Sequence, residues 1–547
     1  MSESLKVIII GGVAGGMSAA TRLRRLREDA HITVYEMGEH VSYANCGLPY
    51  YLSDVISDRN SLLLQTPTSL HNRFNLDVRV HTLVTKIKRD EKTVNVVNVQ
   101  TGEEYVDTYD KLIISTGAKP RKLPIPGIDR AMTLRNVTDA DTVKAMVERS
   151  GKGPAVILGA GFIGIELAEN LAHIGVPTTV VQRGSNILSI FDPEMIAPLE
   201  QRLRENGVHI LTNAEPVEIT ADEVILRDGT RLPAKLVFAA AGVIPDNSLA
   251  REAGLKMGDT GGVWVDNQQR TSDPDIYAAG DAVEKPGALT GAQQLIPLAN
   301  LANRHGRLAA DSIAGLEPKA NKAIGTVIIG AFGFATGITG LSERAAKKAG
   351  IKFEVIHLHP GSHAGYYPGA ERVSLKVLFD PATGKILGAQ ANGADGVDKR
   401  IDVIATAIHG GLTVDDLMDL ELAYAPQFGS AKDAINQAGY VGNNVLHGTT
   451  ETVQWNELEA EMAKGAVLID VRTTGENEAG SIPGAINIPV DELRARHTEL
   501  NPANVIVHCQ VGQRGHTATQ ILKAHGFSVR NLDGGYITWK AGQDSRA

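Results

Sequence analysis

Two cysteines are the residues best suited to chemistry in this chain of 547 residues. Cys46 lies in the segment SYANCGLPY, where a following helix N-terminus is expected to lower the pKa of the thiol. Cys509 follows a β-branched run and opens the loop CQVGQR before a helix, so backbone N–H groups are expected to form an anion nest, to which Arg514 adds a cation. A structural disulfide framework is excluded by this count. Cys46 is therefore a candidate redox thiol, with an inert buried thiol as the alternative, and the loop of Cys509 favours a thiolate or persulfide.

The elements that would position ligands for these thiols are two units of strand, glycine turn, helix and strand, over residues 5–36 and 154–182. In the second unit, Gly159, Gly161 and Gly164 allow the tight turn, the approach of a pyrophosphate and the packing of helix on strand. A turn without a ligand is the alternative. Gln182 can bond a ribose hydroxyl and Arg183 a 2′-phosphate, so NADH and NADPH both stay open.

The first glycine turn departs from the GxGxxG pattern, because Val13 stands where the second glycine would be. Glu36 ends the next strand as the acidic partner expected for a ribose. The residues of this turn predicted to contact a dinucleotide are Gly11, Gly12, Val13, Ala14, Gly15 and Gly16.

Length and charge limit the classes of protein that this chain can represent. At roughly 150 residues per domain, the length predicts three or four domains. A net charge of −9 gives no basic field for nucleic acid or for an anionic membrane. No stretch approaches the roughly 18 apolar residues that span a bilayer. We therefore expect a cytoplasmic enzyme whose partners are small molecules.

Further segments carry a resemblance that covers residues 5 to about 445. STGA (115–118) contains Thr116 and Gly117, AAGVIPDN (240–247) contains Gly242, and YAAGD (277–281) ends in Gly280 and Asp281. With the two glycine turns, these segments resemble the two-dinucleotide flavoprotein disulfide reductases. The resemblance implies that FAD and NAD(P)H bind at these residues, with Asp281 bonding the ribityl chain and pyrophosphate of FAD.

The SYANCGLPY segment resembles the coenzyme A disulfide reductases of that superfamily. Dithiol members carry a second cysteine about five positions on, where this chain has Tyr51, so Cys46 is expected to act as a single redox thiol. Single-cysteine NADH oxidases and peroxidases are the nearest rivals. Peroxide-reducing members have a histidine in the first glycine turn, and its replacement by Val13-Ala14 argues against peroxide chemistry.

A coenzyme A site follows from the same resemblance. Ser18, Arg22 and Arg25 are spaced i, i+4, i+7 and share one helix face, whose guanidinium groups suit an anionic phosphate. A solvated basic face is the alternative, because Arg24 and Arg27 make the helix basic all round. The residues that the resemblance assigns to coenzyme A are Ser18, Arg22, Arg25, Ser42, Asn45, Arg73 and Lys432.

Two later segments, HAGYYPGAERV (363–373) and AYAPQFGSAKDAINQAGY (423–440), supply Tyr366, Tyr367 and Tyr424. In the resembled family such tyrosines reach the partner subunit's active cysteine, where a phenol can donate a hydrogen bond to a leaving thiolate. This implies a homodimer. Which of Tyr366 and Tyr367 acts is left open, Phe428 replaces the second tyrosine of the later segment, and ordinary packing is the alternative for each.

Residues 450–547 resemble a rhodanese domain, through AVLIDVR (466–472), the Cys509 loop and LDGGYITW (532–539). The resemblance implies that Cys509 carries sulfane sulfur as a persulfide, assisted by Arg514, with Asp470 and Arg472 as structural supports. An inactive rhodanese module is the alternative, although such modules usually lack the cysteine.

The combined pattern resembles fusions of coenzyme A disulfide reductase with rhodanese, described as NAD(P)H-dependent persulfide or polysulfide reductases. The fold class expected is α/β, with two dinucleotide-binding (Rossmann-like) domains, an α+β dimerisation domain and a C-terminal α/β rhodanese domain. The expected boundaries are 1–110 with 245–322 for FAD, 111–244 for NAD(P)H, 323–447 for dimerisation and 450–547 for rhodanese. Three alternatives stay open, namely a plain coenzyme A disulfide reductase with an accessory sulfurtransferase, an NADH oxidase and a non-enzymatic flavin redox sensor.

Overall fold

The computed structural model describes residues 4–500 and 504–546, so the outermost ends of the predicted first and last domains lie outside the described residues. The chain divides into two compact units. The first holds residues up to 183 together with 207–323, and the second holds 184–206 together with the residues from 324 onward. Within the described ranges, no helix has the length and apolar character needed to cross a membrane.

The strands of the first unit are β1 (Lys6–Ile10), β2 (His31–Tyr35), β3 (Asp77–Arg79), β4 (Thr82–Lys88), β5 (Thr93–Asn98), β6 (Glu104–Thr108), β7 (Lys111–Ile114), β8 (Ala118–Pro120), β9 (Ala155–Leu158), β10 (Thr178–Val181), β11 (Val208–Leu211), β12 (Pro216–Ile219), β13 (Glu223–Leu226), β14 (Arg231–Pro233), β15 (Leu236–Ala239), β16 (Val243–Pro245), β17 (Ile276–Ala278), β18 (Lys285–Pro286) and β19 (Gln293–Gln294). Those of the second are β20 (Val327–Ala331), β21 (Phe334–Gly340), β22 (Glu354–Leu358), β23 (Val373–Phe379), β24 (Ile386–Gly393), β25 (Thr452–Val453), β26 (Val467–Asp470), β27 (Ile486–Asn487), β28 (Val505–His508) and β29 (Val529–Leu532).

The α-helices in chain order are α1 (Ala14–Leu26), α2 (Leu48–Leu52), α3 (Pro67–Phe74), α4 (Val137–Arg149), α5 (Phe162–His173), α6 (Pro193–Glu205), α7 (Ser248–Glu252), α8 (Ala299–Ile313), α9 (Glu343–Lys348), α10 (Val397–Gly410), α11 (Ala434–Leu446), α12 (Leu458–Ala463), α13 (Thr474–Glu478), α14 (Val490–Arg496), α15 (Gln513–Ala524) and α16 (Gly535–Asp544). Helix α6 and the helices from α9 onward belong to the second unit.

Two parallel sheets organise the first unit. One has the strand order β17-β7-β1-β2-β3 and the other β11-β10-β9-β15. The inner strands β1 and β9 are short, nearly continuous apolar runs, as expected of parallel strands that are covered on both faces. The predicted glycine turns follow β1 and β9, at the carboxyl ends of strands where ligands of such sheets bind.

The second unit contains an antiparallel sheet of order β20-β21-β24-β23-β22 and a parallel sheet of order β25-β29-β28-β26-β27. Helix α6 packs against β24 of the first of these sheets and against α16 of the C-terminal segment. Residues 184–206, which the sequence places in the NAD(P)H-binding domain, thus group with the second unit, because buried carboxylates on this segment pair with Lys376 of β23. The domain boundaries themselves stay predictions.

Candidate functional site

Cys46 lies in a 3₁₀ turn, Asn45–Gly47, that leads directly into α2. The residue keeps an exposed surface, yet burial of the sulfur, followed by the nearby Glu166 carboxylate, raises the pKa of the thiol. The expected lowering by a helix N-terminus is therefore wrong in direction. The following helix has only five residues, and its small dipole does not outweigh burial and a neighbouring negative charge.

Glu166 is a residue of this site that the sequence reasoning missed. It lies on α5, two residues beyond the GxGxxG turn, and that position was the only signal for it. Helix α2 packs against α5, and at their junction Ser53 donates a hydrogen bond to Asn170, whose amide donates at 2.7 Å to the carbonyl of Glu166. Burial and then Glu169 raise the pKa of Glu166 to about 7. An acid poised near neutrality thus faces the Cys46 segment.

Glu166→Gln is expected to lower the pKa of Cys46, because the carboxylate that opposes thiolate formation above about pH 7 is removed. The measurement is the pH dependence of Cys46 alkylation by iodoacetamide in a Cys509→Ser background. Glu148→Gln, an exposed substitution on α4, is the matched control and leaves the profile unchanged. An identical profile in Glu166→Gln contradicts the electrostatic role of Glu166.

The first glycine turn is bound to Glu36 and to the cysteine segment. The Glu36 carboxylate accepts N–H bonds from Gly12 and Gly38, both at 2.8 Å. Ser42 donates its N–H to the carbonyl of Gly12 at 2.8 Å and adopts a positive φ of 48°. These bonds hold the segment that carries Cys46 against the turn.

The donor set around this turn fits FAD. No side chain caps the N-terminus of α1, which leaves backbone N–H groups for a pyrophosphate. Asp281 lies in a 3₁₀ turn at the end of β17, where burial raises the pKa of its carboxyl. Thr116 donates to the carbonyl of Asp246 at 2.5 Å, and Lys285 donates to the carbonyl of Gly280 at 2.9 Å. Glu36, the α1 N-terminus and Asp281 would hold the ribose, pyrophosphate and ribityl groups.

The second glycine turn fits a pyridine nucleotide. A Cβ at Gly164 would lie 2.1 Å from the carbonyl oxygen of Gly159, whereas a Cβ at Gly161 would meet no atom within 4 Å. Open space therefore faces the turn where a pyrophosphate would approach. Gln182 accepts the N–H of Ala160 at 3.3 Å, and Arg183 is exposed beside it. Gly242 lies in a left-handed turn with φ of 92° before β16.

The residues predicted for coenzyme A divide into paired and exposed groups. Ser18 donates to the Asn303 side chain at 2.8 Å, and Arg22 pairs with Asp311 at 2.5 Å, so both are bound to α8. Asn303 and Asp311 were not found from the sequence, because α8 is 285 residues or more away along the chain. The predicted residues that remain exposed in this unit are Arg25, Asn45 and Arg73. Arg25 lies over the ring of Phe74, next to Arg73, at 5.0 Å.

Tyr366 and Tyr424 meet in the second unit, their hydroxyl oxygens 2.9 Å apart. The hydrogen bond to Tyr424 raises the pKa of Tyr366, which is 76% exposed. Tyr367 instead turns its ring toward His363, at 5.7 Å between ring centres. Lys432 is exposed in the loop before α11. The structure therefore distinguishes the two adjacent tyrosines, which the sequence did not.

Cys509 is buried at the end of β28, and its sulfur accepts the N–H of Gly512 at 3.2 Å. Arg514 interacts with Cys509 and forms two hydrogen bonds to Glu476, at 2.6 and 2.7 Å. Those bonds lower the pKa of Glu476 to about 2. Much of the positive charge that Arg514 was predicted to give the loop is thus balanced by the Glu476 carboxylate, which the sequence did not indicate.

Asp470 and Arg472 support this loop. Both are buried, and Arg472 binds the Asp470 carboxylate at 2.7 Å and the side chain of Gln510 at 3.1 Å. The guanidinium also lies 4.4 Å from the ring centre of Tyr536. These contacts connect the strand carrying Asp470 to the residue that follows Cys509.

Two dinucleotide-type sheets with glycine turns, a thiol beside one of them and a separate antiparallel sheet define a two-cofactor disulfide reductase. The chain belongs to the pyridine nucleotide-disulphide oxidoreductase family, whose model matches residues 5–306. The dimerisation-domain model of that family matches residues 328–435, and the model of the rhodanese-like domain matches residues 454–542. The chain is thus an FAD-dependent oxidoreductase with a rhodanese domain, and the predicted fold class and family resemblance are confirmed.

Three relatives place the chain within this family. It is 32% identical over 436 residues to the coenzyme A disulfide reductase of Staphylococcus epidermidis, covering 80% of this chain and 99% of the relative. The reduced CoADR-RHD of Bacillus anthracis is 43% identical, with a TM-score of 0.97 and 99% of both chains covered. A NAD-dependent persulfide reductase from A. fulgidus is 36% identical, with a TM-score of 0.92, covering 98% of this chain and 100% of that one.

Proposed function

We propose that this chain is an FAD-dependent NAD(P)H:coenzyme A persulfide and polysulfide reductase that also accepts coenzyme A disulfide. Cys46 is the redox nucleophile, and Cys509 delivers sulfane sulfur. The observation that carries the proposal is the presence of two thiols in separate sites, one beside the first glycine turn and one in an intact rhodanese loop. A coenzyme A disulfide reductase and a persulfide reductase among the relatives support the same substrate class.

The Cys46 thiolate would attack the coenzyme A sulfur of the persulfide, whose S–S bond breaks. Hydrosulfide leaves and a Cys46–coenzyme A mixed disulfide forms. Two electrons from NAD(P)H and one proton then cleave this disulfide, restoring the thiolate and releasing coenzyme A as the thiol. Bound FAD supplies the two-electron link between nucleotide and disulfide. With coenzyme A disulfide as substrate, the first leaving group is the coenzyme A thiolate.

The chain's own residues orient the substrate and manage its protons. The exposed Arg25 and Arg73 are suited to the anionic phosphates of coenzyme A. Glu166 stores a proton beside the Cys46 segment near neutral pH. The hydrogen-bonded Tyr366 and Tyr424 would donate to the leaving thiolate at the partner's cysteine in a homodimer. Cytoplasmic location belongs to the same proposal.

Tyr366→Phe is expected to lower kcat for coenzyme A persulfide about 100-fold, because the phenol that stabilises the leaving sulfur is lost together with its bond to Tyr424. Tyr367→Phe is the matched control and is expected to stay within about twofold of wild type, since the Tyr367 ring faces His363. The measurement is steady-state NADH and NADPH oxidation. Equal losses in the two variants would remove Tyr366 from this role.

The substrate assignment is tested by anaerobic NADH and NADPH oxidation with coenzyme A persulfide, coenzyme A disulfide and polysulfide in parallel. We expect the highest kcat/KM with the persulfide. A clear preference for coenzyme A disulfide would instead identify a plain disulfide reductase with an accessory sulfurtransferase. Comparable turnover with oxygen alone would identify an NADH oxidase, and negligible turnover with every substrate a redox sensor.

A further inference from the structure

Asp533, which directly follows β29, is bound by a histidine of the antiparallel sheet. His357 on β22 places its Nδ1 2.6 Å from one Asp533 carboxylate oxygen, and its backbone N–H donates to the other at 3.1 Å. The second ring nitrogen lies 3.2 Å from a Glu194 oxygen. His357 and Asp533 are each about 3% exposed. An imidazole therefore bridges two buried carboxylates from different parts of the second unit.

The charged groups facing His357 keep it protonated. Burial alone would lower the pKa of His357, but Asp533 and Glu194 raise it to about 9, against a smaller opposing effect of Lys376. His359 adds no charge, because burial lowers its pKa to about 3. At neutral pH both ring nitrogens of His357 thus carry protons and donate to carboxylates. As pH rises through about 9, His357 loses one ring proton, and with it one of its two ring hydrogen bonds to Asp533 and Glu194.

The residues after Asp533 hydrogen-bond to the backbone of the Cys509 loop. Tyr536 donates its N–H to the carbonyl of Cys509 at 2.8 Å, and Ile537 donates to that of Gln510 at 3.2 Å. The contact requires glycine, since Gly535 has a φ of 63° and a Cβ there would lie 2.4 Å from the Cys509 oxygen. A shift of residues 534–537 would therefore move the Cys509 carbonyl that they contact.

The same segment is held from its other side by β22. A Cβ at Gly534 would lie 2.7 Å from the Cβ of His357, so the backbone of Gly534 packs directly against the His357 side chain. His359 places its Nε2 2.8 Å from the Thr538 hydroxyl, one turn into α16. His357 on β22 and His359 directly after it thus both contact the segment that hydrogen-bonds the Cys509 loop.

We propose that His357 is a positioning residue for the Cys509 loop, acting through Asp533 and the glycine pair that follows it. The antiparallel sheet that contains β22 then helps to hold the Cys509 loop in place. The sulfur-transfer part of this inference rests on the proposed role of Cys509, whereas the positioning itself does not.

The test uses the full-length holoenzyme and amide hydrogen exchange of a peptide spanning residues 505–516. His357→Ala is expected to speed exchange in this peptide at least tenfold and to slow persulfide loading of Cys509 from polysulfide at least tenfold. Coenzyme A disulfide turnover at Cys46 is expected to stay within twofold of wild type. His447→Ala, which breaks an exposed His–Asp pair of 3.0 Å in the same unit, is the matched control and changes neither readout.

A pH profile separates positioning from general destabilisation. In wild type, exchange of the 505–516 peptide, corrected for intrinsic rates, is expected to rise as pH passes about 9, whereas in His357→Gln it is faster at pH 7 and flat across this range. If His357→Ala fails to fold, this comparison of wild type with His357→Gln still tests whether His357 positions the Cys509 loop. Wild-type exchange that is flat from pH 7 to 10, or a folded His357→Ala with wild-type exchange, overturns the proposal. Faster exchange in the variant supports it even if wild-type Cys509 takes up no sulfur, in which case the sulfur-carrier role alone fails.

Discussion

Cys46→Ser is expected to abolish NAD(P)H oxidation with coenzyme A persulfide, polysulfide and coenzyme A disulfide, by a factor of at least about 10³. The nucleophile of the first step is a thiolate, and a serine hydroxyl neither ionises in the accessible pH range nor forms the mixed disulfide that the electrons cleave. Burial and Glu166 already raise the pKa of this thiol, so the same environment does not favour ionisation of a serine hydroxyl, which is a weaker acid. The measurement is anaerobic loss of nucleotide absorbance.

The control is Cys509→Ser, which removes the other thiol of the chain and is expected to keep coenzyme A disulfide turnover near wild type. Retained flavin absorbance in Cys46→Ser shows that the cofactor site is intact. Full activity of Cys46→Ser with any of the three sulfur substrates would exclude Cys46 as the redox nucleophile.

Lys376→Ala is expected to destabilise the second unit by about 3–5 kcal/mol, because a fully buried ammonium is removed from among carboxylates. Its Nζ lies 2.8 Å from an Asp192 oxygen and 2.7 Å from a Glu343 oxygen, and it also binds Glu194. Burial alone would lower the pKa of Lys376, yet these three carboxylates raise it, so the lysine stays charged. Without it, His357 is the remaining cation that pairs with Glu194 among the residues that the structure describes. For a unit of this size we expect thermal unfolding to move down by roughly 10 °C.

Lys347→Ala is the matched control for this prediction. Lys347 also pairs with Glu343, at 2.8 Å, but it is 62% exposed, and an exposed helix pair contributes only about 0.3–0.5 kcal/mol. The unfolding temperature of Lys347→Ala is therefore expected to lie within about 2 °C of wild type. Calorimetry of the holoenzymes checks both values, and equal stability of Lys376→Ala and wild type contradicts a structural role for the buried cluster.

The fold class could be predicted because its signals are local. Each glycine turn lies within a few residues of the strand and helix that it joins, as at Gly159 between β9 and α5. The placement of 184–206 could not be predicted, since it depends on ion pairs between Asp192 or Glu194 and Lys376, more than 180 residues away. A local pattern does not report such long-range pairing.

The candidate site shows the same division. The two cysteine motifs were evident, but the direction of the Cys46 pKa depends first on burial and then on Glu166, whose helix α5 packs against α2. The choice between Tyr366 and Tyr367 likewise depends on Tyr424, 58 residues beyond Tyr366. Residue types and spacing indicated the chemistry, whereas distant neighbours determine the charge and orientation of the groups that perform it.

The central claim is that sulfur carried by Cys509 is reduced at Cys46 at the expense of NAD(P)H. The most direct measurement is anaerobic, with a sulfane sulfur donor and coenzyme A supplied to the holoenzyme, and counts hydrosulfide released against nucleotide oxidised. We expect one hydrosulfide per NAD(P)H in the wild type, none above background in Cys46→Ser, and at least a tenfold lower rate in Cys509→Ser. Nucleotide oxidation without hydrosulfide release, or release at the wild-type rate in either variant, would contradict this account.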